Sequence, residues 1–398
     1  MDRADVYKGP ELLGSLERTR DGSRFTYAPT YLAAHADALD TRVAFALPLR
    51  GASYDTLGVN LHPFFAGLLP EGIRLRALVR AVKTSEDDLL SLLIESGADC
   101  IGDVSIVPDG MPLVEHTPVA DLADPSALDF ERLFEQSLRY RRGGGDSSIA
   151  GVQRKISGAM ISLPVRSRKR GQAHLLKLDP PDMPGLVNNE AFFMHMASDV
   201  GLEVAATRLV QDRQGEIGLA VERFDRVVPG GAKVHQEDAC QLLERYPADK
   251  YNMGFRQVLE ALAVCSAPVV ERLKALELYA FSYLIANGDL HAKNVSVRIE
   301  PKRGHIVLSP AYDLLSTLPY GDSHMALAIG GRDRRLNRAH FVELGESVQV
   351  RSRATEAMLA RLVKRCGPWL ARLDEAGLDP KRGAHLRSTM ARRLEQLC

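Results

Sequence analysis

The residues best suited to chemistry flank one short stretch of alternating apolar residues. Before it runs Asn287-Gly288-Asp289-Leu290-His291-Ala292-Lys293-Asn294, and after it Pro310-Ala311-Tyr312-Asp313. Asp289 precedes Asn294 by five residues. Phosphoryl transfer uses that spacing: a carboxylate to take the proton of an attacking hydroxyl, then an amide oxygen to hold Mg²⁺. The intervening VSVRIE–PKRG–HIVLSP reads as a hairpin, which would bring Asp313 back beside Asn294 so that both share one hard cation.

The same chemistry asks for a lysine on a strand to hold phosphate and a glutamate on the next helix to hold the lysine. Lys177, in HLLKLDP, and Glu190, thirteen residues on, supply them. A phosphate-covering loop is expected over Gly143 to Lys155, GGGDSSIAGVQRK. It lacks the GxGxxG pattern, but glycine-rich backbone amides with Arg154 and Lys155 suit an anion. From Arg139 to Lys177 there are ten basic residues against one acid, Asp146, a local excess that polyphosphate or nucleic acid would explain. Part of it, VRSRKRGQ, reads as a solvated hairpin loop. Other candidates find no support. His291 has no His or Cys cluster around it for zinc, and Ser316 and Ser323 lie in no GxSxG elbow.

Three stretches of chain must position these groups. Residues 1–108 open with strand-like runs around LLGSL, RFTYAP and AFALPL. Two helices follow: PFFAGLLPEGIRLRALVRAV, broken at Pro70 to Gly72, and SEDDLLSLLIESG, which begins as a capping box from Ser85 to Asp88. IGDVSIVP then reads as a strand. Residues 109–130 carry the Pro, Asp and Thr of a linker. Residues 131–228 predict a helix (FERLFEQSLRYR), two strands, a helix from about Asn188 to Val200, and a hairpin turning at Gln214-Gly215. Residues 229–398 are mainly helical around the single hairpin. A mainly β lobe before a mainly α lobe predicts an α+β chain with a cleft between lobes.

Taken together, Ser148-Ile149-Ala150-Gly151-Val152-Gln153-Arg154-Lys155, Val221-Glu222-Arg223-Phe224-Asp225-Arg226, NGDLHAKN and PAYD resemble the HipA serine/threonine kinase toxins of bacterial type II toxin–antitoxin systems. HPFFAGLLPEG and SGADCIGDV are similar to that family's extra N-terminal subdomain, so the resemblance spans nearly the whole chain. It implies a two-lobed protein-kinase-like fold with an N-terminal α/β subdomain. Asp289 would be the catalytic base, and Asn294 and Asp313 the Mg²⁺ ligands. Lys177 would meet the phosphates of ATP, with Glu190 as its ion-pair partner. Ala150, Gly151, Val152, Gln153, Arg154 and Lys155 would form the phosphate loop. Glu222, Arg223 and Phe224 would lie at the adenine hinge, with His291, Lys293 and Tyr312 near the nucleotide. Ser148 would be the self-phosphorylated serine that switches the kinase off. The resemblance further implies an aminoacyl-tRNA synthetase as substrate, notably the glutamyl enzyme, and a helix-turn-helix HipB-like antitoxin that binds operator DNA.

Two other readings stay open at this point. NGDLHAKN is close to the HGDLHxxN loop of aminoglycoside and choline phosphotransferases, although SIAGVQRK is not expected there. A non-catalytic ATP-binding corepressor is the other, against which Lys177, Asp289, Asn294 and Asp313 all speak.

Composition sets the outer limits. The 398 residues carry 51 basic and 51 acidic side chains, so the whole molecule has no net field to draw it to nucleic acid or anionic lipid. No apolar run reaches membrane-spanning length and the first residues lack a signal-peptide core, so a cytoplasmic location without membrane association is expected. Five cysteines with no CxxC pair fit a reducing compartment. One Trp and 6% aromatic residues do not suit a base-stacking single-strand binder.

Overall fold

The structure is a computed structural model that describes residues 2–58, 60–113, 120–137, 161–167, 172–180, 183–227 and 232–398. Its first domain is a five-stranded antiparallel sheet in the order β4-β3-β2-β1-β5. The strands are β1 (Arg3–Lys8), β2 (Glu11–Arg18), β3 (Gly22–Tyr27), β4 (Ser53–Leu57) and β5 (Val104–Pro108). Alternate residues Ala4, Val6, Leu13, Phe25, Tyr27 and Ile106 turn inward, the two-residue period of a sheet with one covered face. The cover is helical: α1 (Pro29–Ala34), α2 (Pro63–Gly67), α3 (Gly72–Val82) and α4 (Leu89–Ser96). Together they close a separate core that includes Leu47, Phe65, Leu78 and Leu93.

Two local expectations meet a different outcome here. AFALPL forms no strand. Pro48 has no N–H to donate, and the Tyr27 hydroxyl accepts from Val43 N, just before the run, at 3.0 Å and donates to the Leu47 carbonyl within it. The helix predicted to begin at Ser85 begins at Leu89 instead. Asp88 is its N-cap and accepts from Ser91 N at 3.4 Å, while Arg18 and Thr84 hold the same carboxylate at 2.6 and 2.8 Å.

The second sheet is antiparallel in the order β6-β7-β9-β8, built from β6 (Ile161–Ser167), β7 (Gln172–Leu178), β8 (Thr207–Gln211) and β9 (Ile217–Glu222). Its hairpin turns at Gln214-Gly215, where Gly215 takes φ +92°, a left-handed conformation that glycine adopts without cost. Leu122, Phe130, Leu133 and Val165 pack with Leu176 and Leu178 on one face, so the linker and α5 (Phe130–Ser137) belong to this small core.

On the other face lies α6 (Leu186–Val200), which touches β8 and β9 and also the helical lobe. Leu186, Phe193, Met196 and Val200 enter the largest core, together with residues that run as far as Leu397. The helix is thus fixed to both lobes.

A two-stranded ribbon, β10 (Arg226–Val227) and β11 (Ala232–Lys233), leads into the helical lobe. There the short β12 (Gln236–Asp238) joins the expected hairpin of β13 (Ser296–Ile299) and β14 (Ile306–Leu308) as an outer strand. The helices are α7 (Ala239–Leu242), α8 (Phe255–Ala261), α9 (Pro268–Leu284), α10 (Arg338–Ser347), α11 (Ser352–Cys366) and α12 (Pro380–Leu397), with a ten-residue 3-10 helix, Gly367–Ala376, before the last. The α-helical run ends at Cys366 and continues as the 3-10 helix from Gly367, where Pro368 removes a backbone donor. None of the described helices is long and apolar enough to cross a membrane.

Candidate active site

Lys177 sits on β7, an inner strand, paired across the sheet with Ser162 and Leu219. With only 5% of its surface exposed it needs carboxylate partners, and it has two. Its ammonium donates to Glu190 Oε1 at 2.6 Å and to Asp313 Oδ1. Glu190 is fully buried on α6. Its neighbour Asn189 closes the next link, donating to the Ser316 carbonyl and accepting from Ser316 N, both at 2.9 Å. One turn of α6 therefore fixes the lysine and the chain just beyond Asp313. Burial alone would depress the Lys177 ammonium, but Asp313 and Glu190 outweigh it and raise its pKa. Burial pushes the Glu190 carboxyl up, against the pull of Lys177.

The β13–β14 hairpin does what its sequence asks. Asn294 Nδ2 donates to Asp313 Oδ2 at 3.0 Å, so the carboxylate is shared between Lys177 on one oxygen and Asn294 on the other. Asp313 adopts φ +57°. That left-handed geometry costs most residues about 1–2 kcal/mol and aspartate tolerates it better than most. Asn287 also reaches the Asp313 carbonyl, at 3.4 Å.

The loop carrying Asp289 is pinned from behind. Gly288 N donates to Thr317 Oγ1 at 2.7 Å, and Asp289 N to Asn287 Oδ1 at 3.0 Å. A Cβ on Gly288 would lie 2.5 Å from the His324 carbonyl oxygen, so the close approach of backbone requires glycine. Asp289 Oδ1 accepts from the hydroxyl of Tyr251 at 2.7 Å. Burial and the Asp289 charge push the Tyr251 phenol far above its ordinary range, which keeps it a donor. His291, edge-on to Tyr251 at 5.1 Å, is buried and lowered to about 4, chiefly by desolvation and then by Lys250, so it is neutral at physiological pH.

The other predicted residues fall into three groups. Phe224 and Tyr312 stand with ring centroids 5.9 Å apart, and the Tyr312 hydroxyl donates to the Lys293 carbonyl at 2.7 Å. Glu222 ends β9, its N–H bonded to the Ala206 carbonyl at 2.8 Å. Arg223 turns to the first domain: its guanidinium is taken by Asp225, by Asp99 at 3.0 Å and by the Cys100 carbonyl at 3.1 Å. Lys293 likewise gives its ammonium to that domain, to Glu71 at 2.7 Å and to the Gly67 carbonyl at 3.1 Å. Ser148 and the loop Ala150, Gly151, Val152, Gln153, Arg154 and Lys155 lie outside the described residues.

Sequence reasoning did not select Tyr251, Thr317, Asn189 or Glu71. None stands at a diagnostic spacing from the catalytic loop, so only the fold reveals them.

The donor set fits a hard divalent cation. The Asp313 carboxylate and the Asn294 amide are adjacent oxygen-bearing groups, and Mg²⁺ is commonly held by one or two protein oxygens together with substrate phosphates. With a divalent cation on Asp313 and Asn294, the arrangement suits a polyphosphate beside Lys177.

Comparison with known proteins gives the same architecture a family. Residues 4–107 match the HipA N-terminal domain, and residues 147–370 match the HipA-like C-terminal domain. Two proteins of Sinorhizobium fredii, both bearing kinase names, are similar in sequence. Y4mE is 31% identical over 82% of this chain and 81% of its own, and Y4dM is 36% identical over 65% and 63%. Among solved structures, HipA of Shewanella oneidensis, in a complex with HipB and operator DNA, superposes with a TM-score of 0.77. That match covers 99% of this chain and 97% of the other at 21% identity, and so speaks to the fold. With both domains matched in order over most of its length, this chain belongs to the HipA family.

Proposed function

We propose that the chain is an ATP- and Mg²⁺-dependent serine/threonine protein kinase that acts as a growth-inhibiting toxin. One observation carries this reading: Lys177 is locked between Glu190 and Asp313 while Asn294 grips the same Asp313 carboxylate. This set has a lysine, its helix glutamate and two oxygen-bearing groups converging where a nucleotide's phosphates and their cation would sit.

In the reaction, the Asp289 carboxylate takes the proton of a serine or threonine hydroxyl as its oxygen attacks the γ-phosphorus. The new O–P bond forms, the bond to the bridging β–γ oxygen breaks, and ADP leaves. Tyr251 holds Asp289 in place by its hydrogen bond. Lys177 neutralises phosphate charge, and Glu190 keeps the ammonium from collapsing onto other acceptors. Asn294 and Asp313 would hold Mg²⁺, which supplies charge neutralisation across the phosphates. Phe224 and Tyr312 form an apolar surface suited to the adenine.

Family membership extends the proposal to partners. A small helix-turn-helix antitoxin of the HipB kind and operator DNA, as in the Shewanella oneidensis assembly, would restrain the toxin. An aminoacyl-tRNA synthetase is the proposed substrate class, and Ser148 the proposed site of self-inactivation. The test is incubation with Mg²⁺ and γ-labelled ATP beside a panel of purified aminoacyl-tRNA synthetases, followed by phosphosite mapping. Label on a synthetase serine or threonine, and on Ser148 in protein that has lost activity, is the expected result. Label only on an added aminoglycoside or choline, or no label at all, rejects the proposal.

A further inference from the structure

Glu71 belongs to the first domain, far in sequence from the catalytic loop, yet its carboxylate is spent on that loop. It lies in the LLPEG segment between α2 and α3, with Pro70 before it and Gly72 after it at φ +59°, a left-handed turn suited to glycine. Oε1 lies 2.7 Å from Lys293 Nζ, and Oε2 accepts from Lys250 Nζ.

Both lysines lead to Asp289 by short paths. Lys293 stands inside the loop, four residues after Asp289 and one before Asn294, and its carbonyl receives the Tyr312 hydroxyl. Lys250 accepts from Ala292 N at 3.1 Å through its carbonyl, and the next residue is Tyr251, the donor to Asp289. A single carboxylate thus grips the loop from within and the segment that buttresses its aspartate.

The charges explain why a carboxylate is needed there. Lys250 and Lys293 are largely buried cations drawn to the same point, and without an anion between them they would repel. Asp238, the other carboxylate beside Lys293, is 4.0 Å away and does not bridge to Lys250. Burial would raise the Glu71 carboxyl, but Lys293 and Lys250 more than reverse that and hold it at about 2, so the bridge stays ionised throughout the neutral range. Two backbone contacts dock the same segment: Gln241 donates to the Phe64 carbonyl at 3.0 Å, and Lys293 to that of Gly67 at 3.1 Å.

We propose that Glu71 is a positioning residue for the catalytic loop, holding Lys293 and Lys250 together so that Asp289 and Asn294 keep their places, and that the first domain is thereby part of the catalytic apparatus. The catalytic half of this statement rests on the kinase reading above. The structural half does not.

The test compares wild type, Glu71→Gln and Glu71→Asp in the full-length chain. Steady-state kinetics with Mg²⁺-ATP are read beside amide hydrogen exchange over residues 287–294. Glu71→Gln should lower kcat roughly 10- to 100-fold, as expected when a reacting group is displaced by a fraction of an ångström to an ångström. KM for ATP should rise less than kcat falls, because Lys177 and Asp313 lie outside the Glu71 contacts and only Asn294 shifts with the loop, and exchange in the loop should quicken. A loss of folding alone would instead lower the ATP-binding stoichiometry. Glu71→Asp keeps the charge but shortens the reach, so a smaller loss of kcat is expected. Wild-type kcat and exchange in folded Glu71→Gln overturn the proposal. If that variant does not fold, the same result in Glu71→Asp overturns it. A wild type without phosphoryl transfer rejects the kinase reading, and the exchange comparison then still decides whether Glu71 holds the loop.

Discussion

Replacing Lys177 by methionine exposes how the site is held together. The change keeps the length and apolar stem of the side chain but removes the cation from a fully buried carboxylate. Glu190 would then neutralise by taking up a proton rather than remain an unpaired buried charge. Its ordinary pKa is 4.5, so protonating it in the folded state costs about 1.4 kcal/mol for each pH unit above that value. The ceiling is about 3.4 kcal/mol at pH 7 and about 0.7 kcal/mol at pH 5. It is a ceiling because burial already pushes the wild-type carboxyl up. The sign follows from linkage: a carboxyl whose folded pKa lies above its unfolded one binds more protons folded, so its cost is absent below about pH 4.5 and grows as pH rises.

The assay can be local. Trp369, the single tryptophan, donates to Asp199 of α6 at 3.1 Å and lies edge-on to Phe192 of the same helix at 5.4 Å. Urea unfolding followed by its fluorescence therefore reports on the helix that carries Glu190. Lys177→Met should be destabilised by up to about 3.4 kcal/mol at pH 7 and by no more than about 0.7 kcal/mol at pH 5, so the loss grows with pH. Lys177→Met with Glu190→Gln should recover most of the loss and its pH dependence. Equal destabilisation at the two pH values, or a double variant no more stable than the single one, would refute the reasoning.

Two further outcomes follow from the geometry. Tyr251→Phe removes a charge-assisted hydrogen bond to Asp289 worth about 1.5–3 kcal/mol, so kcat should fall roughly 10- to 100-fold with KM for ATP little changed; a raised KM at unchanged kcat would contradict the role given to Tyr251. Burial would raise Asp99, but Arg223 and Arg226 reverse that and hold it at about 2, which ties the first domain to the segment after β9. A depressed carboxyl contributes stability that is present above its ordinary 3.8 and lost as pH falls toward 2. The Tm advantage of wild type over Asp99→Asn should therefore be full at pH 6 and shrink below pH 4. A gap constant across that range would assign it to packing.

The meeting of Asn294 and Asp313 was legible because it is local: a hairpin of known reach returns Asp313 to Asn294. Lys177 and Glu190 were legible for a related reason: a strand followed by a helix brings residues thirteen apart face to face. Tyr251 and Glu71 were not. Tyr251 meets Asp289 across 38 residues and Glu71 meets Lys250 across 179, contacts set by how whole elements dock rather than by any period in the chain. Arg223 shows the opposite limit. Its place in ERFDR is consistent with a hinge, but the direction of its guanidinium is decided by Asp99 and Cys100, more than a hundred residues earlier. At AFALPL, β propensity yields to a proline and to one tyrosine hydroxyl.

The proposed role of Asp289 as the base in phosphoryl transfer from ATP is tested most directly by γ-phosphate transfer in wild type and Asp289→Asn, measured beside ATP affinity for both. Asp289→Asn should fold and bind ATP with Mg²⁺ about as well as wild type while transferring phosphate roughly 10²–10⁴ times more slowly, because the carboxylate acts on the proton in the transition state rather than on bound nucleotide. Transfer by Asp289→Asn at the wild-type rate, or a wild type that does not bind ATP, would contradict it.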